Sequence, residues 1–281
     1  MKDRPSLMTL TVLVALAIRL TGTAFAAEQL TSSDAYAGRV SRLQDAFQGM
    51  SGDELFSKLL QHNRLRDMRL HQYSAVRTYE VTNDKGKVYA KEVVRMDYHA
   101  PDQKRFVTES EEGSKLVRDL VLNRLVESES ATSSGRTHRD SSIKPANYEF
   151  NLLGEQDVGP YHCLVVEALP KRKDKYLFEG KIWIDAEDYG IVRIAGHPAK
   201  SPSFWITRAD FVRSYQKIGE FWLPARDATL VHVRLNGTKV LTIDHRDYTI
   251  NSGGGERTQN ITSPATSGQT DRNAGLWQQS R

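Results

Sequence analysis

The chain has 281 residues, 39% of them hydrophobic and 26% charged, with a formal net charge of +4. That composition supplies a core for one large or two small domains, and half of the small basic excess sits in Lys2, Arg4 and Arg19 against Asp3, which argues against a nucleic-acid binder. The single cysteine, Cys163, excludes an internal disulfide.

Lys2 and Arg4 precede an apolar run over 7–18, and Ala24-Phe25-Ala26 places small residues before a cleavage point at Ala27. The run is shorter than the roughly 20 residues a membrane span needs. Residues 1–26 therefore read as a cleavable signal peptide, and the protein as periplasmic. Cys163 lies far from the new N-terminus, which predicts a soluble protein rather than a lipid-anchored one. Export also removes ready access to ATP and nicotinamide, so no cofactor is expected.

Residues 27–50 form a polar N-terminal segment. Ser51-Gly52-Asp53-Glu54 matches a capping box ahead of Leu55, Phe56, Leu59 and Leu60, which predicts a helix over 51–66. Period-two stretches at 73–81 and 88–98, joined by Asn83-Asp84-Lys85-Gly86, predict a hairpin. A third strand near 105–109 leads through Gly113 into an amphipathic helix carrying Leu116, Val117, Leu120, Val121 and Leu125. The polar run 128–144 reads as a long loop. Strands follow near 148–156, 161–169, 176–185, 191–197, 204–216, 225–235 and 238–250, with short turn-rich links. Residues 251–281, rich in Ser, Gly, Thr, Asn and Gln, are expected to be disordered.

The result is a single domain over 51–250, mostly antiparallel β with two or three covering helices. A hairpin-linked sheet of this size must curl toward a barrel or be covered on a face. A two-residue turn at Asn236-Gly237 would set Val233 opposite Val240 and Val231 opposite Thr242, giving one apolar face. Pairing Ile182 with Ile194 and Ile184 with Val192 makes another, and sets Trp183 across from Arg193 within reach of a cation–π contact. The candidate apolar wall is therefore Ile182, Ile184, Val192, Ile194, Val231, Val233 and Val240, with Leu116, Leu120 and Val121 on a lid helix. Periodicity does not separate a filled interior from a ligand-accepting one.

Catalytic signals are weak. No Gly-x-Ser-x-Gly elbow occurs, and Cys163 points away from the adjacent His162 along a strand. Ser141-Ser142-Ile143-Lys144 lies in a polar loop without the helix that pattern requires. The eight histidines include no His-Glu-x-x-His, so neither a metal nor a catalytic residue is expected. Asp185, Glu187 and Asp188 beside Gly190 read as hairpin chemistry. The run Lys171-Arg172-Lys173-Asp174-Lys175 reads as a solvated loop, with contact to anionic headgroups as the alternative.

The run Gly180-Lys181-Ile182-Trp183-Ile184-Asp185, answered by Tyr189-Gly190-Ile191-Val192-Arg193, resembles the LolA/LolB-like superfamily of periplasmic carriers, and more closely its branch of outer membrane lipoprotein-sorting proteins. Pro145-Ala146-Asn147-Tyr148-Glu149-Phe150, Phe221-Trp222-Leu223-Pro224 and Asp247-Tyr248-Thr249-Ile250 support the likeness, which covers about residues 50 to 250. The resemblance implies a curved, incomplete β-barrel whose helices lid an apolar concavity for acyl chains, with no covalent step. On that reading the protein is a non-enzymatic, monomeric carrier for a lipid or an acylated lipoprotein, making transient contact with a membrane surface or an envelope protein. The alternative is a stress-sensing or protein-interaction module on the same fold, meeting its partner through a sheet edge or the 128–144 loop.

Overall fold

The computed structural model describes residues 50–101, 103–122 and 142–251. The expected signal peptide, the polar segment up to residue 49, Leu125, most of the expected 128–144 loop and the tail after residue 251 lie outside the described residues.

Helix α1 (Gly52–Asp67) starts where the capping box places it, with Ser51 Oγ accepting from the Glu54 amide at 3.1 Å. Asp53 and Glu54 in its first turn and Arg64 and Arg66 in its last complement the helix dipole. Strands β1 (Gln72–Asn83), β2 (Val88–His99) and β3 (Gln103–Gly113) follow, then a short helix α2 (Lys115–Val117) that runs into a π-helical turn at Arg118–Leu122. The remaining strands are β4 (Tyr148–Val158), β5 (Tyr161–Pro170), β6 (Phe178–Asp185), β7 (Ile191–Pro198), β8 (Ile206–Ile218), β9 (Phe221–Val233) and β10 (Gly237–Asn251).

All ten strands form one antiparallel sheet in the order β3-β2-β1-β10-β9-β8-β7-β6-β5-β4. The expected seven-strand meander is β4 to β10, and the β1–β10 pairing joins it to the first three strands. β3 and β4 remain as edges, so the sheet is not closed into a barrel. Register shifts at Leu152/Gly154, Trp183/Ile184 and Ser214/Tyr215 mark bulges, which bend strands and increase their twist.

Following direct partners from edge to edge gives one row: Leu152, Val166, Ile182, Ile194, Arg213, Asp227, Ile243, Tyr79, Glu92 and Glu111. Direct partners share a face, so this row maps the inner face, the one the helices cover. It is buried from Val166 through to Glu92. On the β5–β7 side Leu55, Phe56 and Leu59 of α1 join Val166, Ile182 and Ile194 in one core. On the β1–β2 side Leu122 packs with Tyr79, Val94 and Ile243.

Two local expectations are corrected. In the β9–β10 hairpin Gly237 pairs with Val233 and Thr238 with His232, so the link is Arg234-Leu235-Asn236 rather than Asn236-Gly237. The Asn236 amide bonds the Val233 carbonyl at 3.1 Å, Leu235 takes the left-handed conformation at φ 63°, and Gly237, at φ 67°, closes the turn instead of sitting at its centre. The partners shift by three positions. Because three is odd, Val240, now opposite Leu230, faces away from Val231. The second helix is the other correction: α2 has only three residues, and the π-helical turn after it brings Val117 and Leu122, five apart, toward the core while Leu116 is exposed.

Candidate functional site

The strongest candidate is the apolar part of the inner face together with the helix that covers it. Ile182 pairs with Ile194 as expected, whereas the bulge after Trp183 sets Ile184 opposite Ile191 instead of Val192. All five are buried in the core that α1 completes. The interior here is filled by Leu55, Phe56 and Leu59, each with no accessible surface. On the other face Arg193 lies over the Trp183 ring at 5.7 Å, the contact the sequence suggested.

Helix α1 is pinned at both ends. At its start the Phe150 amide donates to Asp53 Oδ1 at 3.2 Å, and the Phe56 and Phe150 rings stack at 4.0 Å. Gly52 lies so close to the Phe150 carbonyl that a Cβ would overlap it. At its end Arg66 donates to the Asp188 carbonyl and lies 3.2 Å from Asp188 Oδ2. Lys217 Nζ reaches the same oxygen at 3.2 Å, and the Trp222 indole N–H donates to Asp188 Oδ1 at 3.1 Å. Burial opposes ionisation of Asp188, but the Asp185 hydrogen bond, Arg66 and Lys217 outweigh it and hold its carboxyl below the usual range. Burial and the neighbouring Asp188 push Asp185 up to about 7.

Next to the apolar part the inner face turns polar. Arg213 is ion-paired with Asp227, and His245 Nε2 lies 3.2 Å from the other Asp227 oxygen. Burial works against the Asp227 charge, yet Arg213 and His245 keep its carboxyl below the ordinary range. Arg77 sits beside this group as the direct partner of His245. Such a group holds a fixed charge pattern inside the sheet. Among the described residues no three His, Cys, Asp or Glu side chains are placed to hold a metal ion.

The remaining candidates fall elsewhere. Val231 and Val233 pack with Ile206 and Ala209 in a separate small cluster. Ile206 and Ala209 also line a cleft of about 390 Å³ with His197, Pro198, Ser201 and Pro202, a volume within the range of small-molecule sites. Val240 is buried on the opposite face, and Leu116 is exposed. Leu120 and Val121 lie in the π-helical turn. The structure thus brings Ile182, Ile184, Val192 and Ile194 together in one core, apart from the cluster that holds Val231 and Val233, from the oppositely facing Val240 and from the exposed Leu116.

No protein-family model matches the sequence, and no curated protein matches it either. Solved structures do. The chain is similar to an outer membrane lipoprotein-sorting protein domain from Vibrio parahaemolyticus, at 14% identity and a TM-score of 0.43 over 71% of this chain and 93% of that one. It is also similar to a DUF1329 family protein from Desulfovibrio piger, at 12% identity and a TM-score of 0.38 over 73% and 96% of the two chains. A LolA superfamily protein from Nitrosomonas europaea aligns at 9% identity and a TM-score of 0.33 over 73% and 95%. LolA-superfamily and lipoprotein-sorting structures are thus among those similar to the chain, as the sequence resemblance implies.

Sequence reasoning missed Arg66, Lys217 and Trp222 as partners of Asp188, and the Arg213–Asp227–His245 group. Asp188 was visible as an acidic turn residue, but its partners come from α1, β8 and β9. Arg213 and Asp227 carried a weak signal, since each interrupts a strand's apolar face with a charge.

Proposed function

We infer that the protein is an exported, non-enzymatic binding protein of the envelope that holds a lipid or the acyl chain of a lipoprotein against the inner face of its sheet. The observation that carries this reading is the apolar patch around Ile182, Ile184, Val192 and Ile194, covered by helix α1, which is held at its two ends by Phe150 and Asp188. Displacing Leu55, Phe56 and Leu59 would expose that patch to a chain, and each methylene buried there is worth about 0.8 kcal/mol. The cleft lined by Ile206 and Ala209, which cluster with Val231 and Val233, is the entry this reading assigns. The reading places the protein in the periplasm as a monomer, with residues 1–26 as its signal peptide and 51–250 as one domain.

Native mass spectrometry of the protein recovered from an expressing cell's envelope tests it. A co-purifying lipid mass, displaced by fluorescent fatty acid, is the expected result. Protein that is recovered empty and ignores fluorescent fatty acids would end the carrier reading.

The two open edges favour a second reading, a protein-interaction module. β3 is exposed from Thr108 to Gly113 and, among the described residues, has no strand on its outer side, which leaves a backbone ladder for an added strand. A pull-down recovering one stoichiometric partner, lost when a proline replaces Ser110, supports this reading instead.

A further inference from the structure

The antiparallel order sends alternate links to opposite ends of the sheet. The β1–β2, β5–β6, β7–β8 and β9–β10 links share one end, where Asn83 pairs with Lys239 and Phe178 with Pro198. That end is basic. It carries the run Lys171-Arg172-Lys173-Asp174-Lys175 in the β5–β6 link, Lys200 in the β7–β8 link, Arg234 in the β9–β10 turn and Lys85 beside Asp84 in the β1–β2 turn. Among the described residues Lys85, Lys173 and Lys200 make no ion pair. The opposite end carries Glu187, Asp188 and Glu220 in its links, and Arg66, Arg69 and Lys217 are ion-paired there.

The same basic end holds the most exposed large apolar side chains among the described residues. Leu235 is 99% exposed, Phe204 73% and Leu116 67%. Leu235 gains no packing, and its φ of 63° is one that glycine adopts at less cost. Phe204 is held outward, with the Arg234 guanidinium 4.6 Å above its ring and Arg234 Nε donating to its carbonyl at 2.8 Å. Apolar tips ringed by lysine and arginine match the interface of an anionic bilayer, where side chains enter the headgroup boundary and cations meet lipid phosphates.

We propose that this end of the sheet docks on anionic phospholipid membrane, with Leu235 and Phe204 inserted and the lysines of the β5–β6 and β7–β8 links against the headgroups. Docking so oriented sets the cleft between His197 and Asp210 at the membrane surface. The proposal goes beyond the carrier reading and stands whether or not the interior holds a ligand.

The test is co-sedimentation of the full chain with vesicles of pure phosphatidylcholine or of phosphatidylcholine mixed equally with phosphatidylglycerol. Expected is at least tenfold stronger binding to the phosphatidylglycerol vesicles, released at about 0.5 M salt. Lys171→Glu, Lys173→Glu and Lys200→Glu together weaken it on the order of 100-fold. Leu235→Ser with Phe204→Ser weakens it at least fivefold, and Glu187→Gln at the other end leaves it unchanged. All five changed sites at the basic end are exposed, and circular dichroism melts check that the variants stay folded; for any that does not, Leu235→Ser alone and the salt release of the unaltered chain decide. Equal binding to both vesicles, no binding to either, or binding unaffected by both sets of changes overturns the proposal.

Discussion

Arg66, at the end of the covering helix, lies 3.2 Å from the Asp188 carboxylate in the β6–β7 turn, 122 positions away in sequence. The Arg66 side chain is only 8% exposed, so the pair fixes the helix over the sheet rather than decorating the surface. Arg66→Met keeps the apolar stem and removes the charge. It should cost roughly 2 kcal/mol, less than the loss of a fully buried pair, because Lys217 still neutralises Asp188. Urea unfolding measures it. Hydrogen exchange should quicken in α1 before it does in β5 and β6, and uniform quickening would refute a pin specific to the helix.

Stability should fall as pH rises through neutrality, because Asp185 is pushed up to about 7 by burial and its neighbour Asp188. A carboxyl whose folded pKa exceeds its unfolded value of about 3.9 binds its proton more tightly in the folded chain. Its contribution is therefore fullest below about pH 4 and is lost as pH rises through 7. Histidines titrate in the same window, so the readout is the difference between the unaltered chain and Asp185→Asn. That difference should grow in favour of the variant from pH 5 to pH 8, by at most ~1.4 kcal/mol per pH unit. A difference that stays flat across this range contradicts the assignment.

Gly190→Ala should be disruptive for a steric reason. A Cβ at Gly190 would overlap the Trp222 indole, whose N–H donates to Asp188 at 3.1 Å. The ring must move, losing that bond and its tilted contact with Tyr161, where the ring centres are 4.7 Å apart. A loss of about 1–3 kcal/mol is expected. The emission of Trp222 should also change, and a variant with the unaltered spectrum and melting temperature would show that the turn yields instead.

Cys163 should be inert in the folded protein. It has no accessible surface, and burial pushes its thiol up to about 12, with Asp185 adding to the effect. Reaction with a thiol reagent should follow global unfolding and vanish in native buffer. Fast native labelling at pH 8 would mean that β5 opens locally.

Much of the fold was legible because its signals are local. Ser51 to Glu54 fixed the start of α1, and strand periodicity located all ten strands to within a few residues. The pairing of Trp183 with Arg193 followed from one short hairpin. What escaped depends on contacts between distant segments or on turn detail. No local pattern joins Arg77 to His245, so the β1–β10 seam and the charged group beside it were invisible. At Asn236-Gly237 the residue types allowed both a two-residue and a three-residue link, and the difference moved Val240 to the other face. The four wall residues on β6 and β7 sit together because they lie on one hairpin. Val231, Val233 and Val240, placed by the other turn, fall outside that core, and Leu116, placed by the phase of a helix that becomes a π turn after Val117, is exposed.

Among the described residues the ten strands end at two unpaired margins, β3 and β4. A closed cylinder can enlarge its lumen only by parting a ladder of hydrogen bonds somewhere on its circumference. A sheet with free margins can instead uncoil slightly, spreading a small change of twist over nine strand pairs while every ladder bond is kept. The room beneath α1 is therefore set by the torsional stiffness of the sheet and by the grip of one helix.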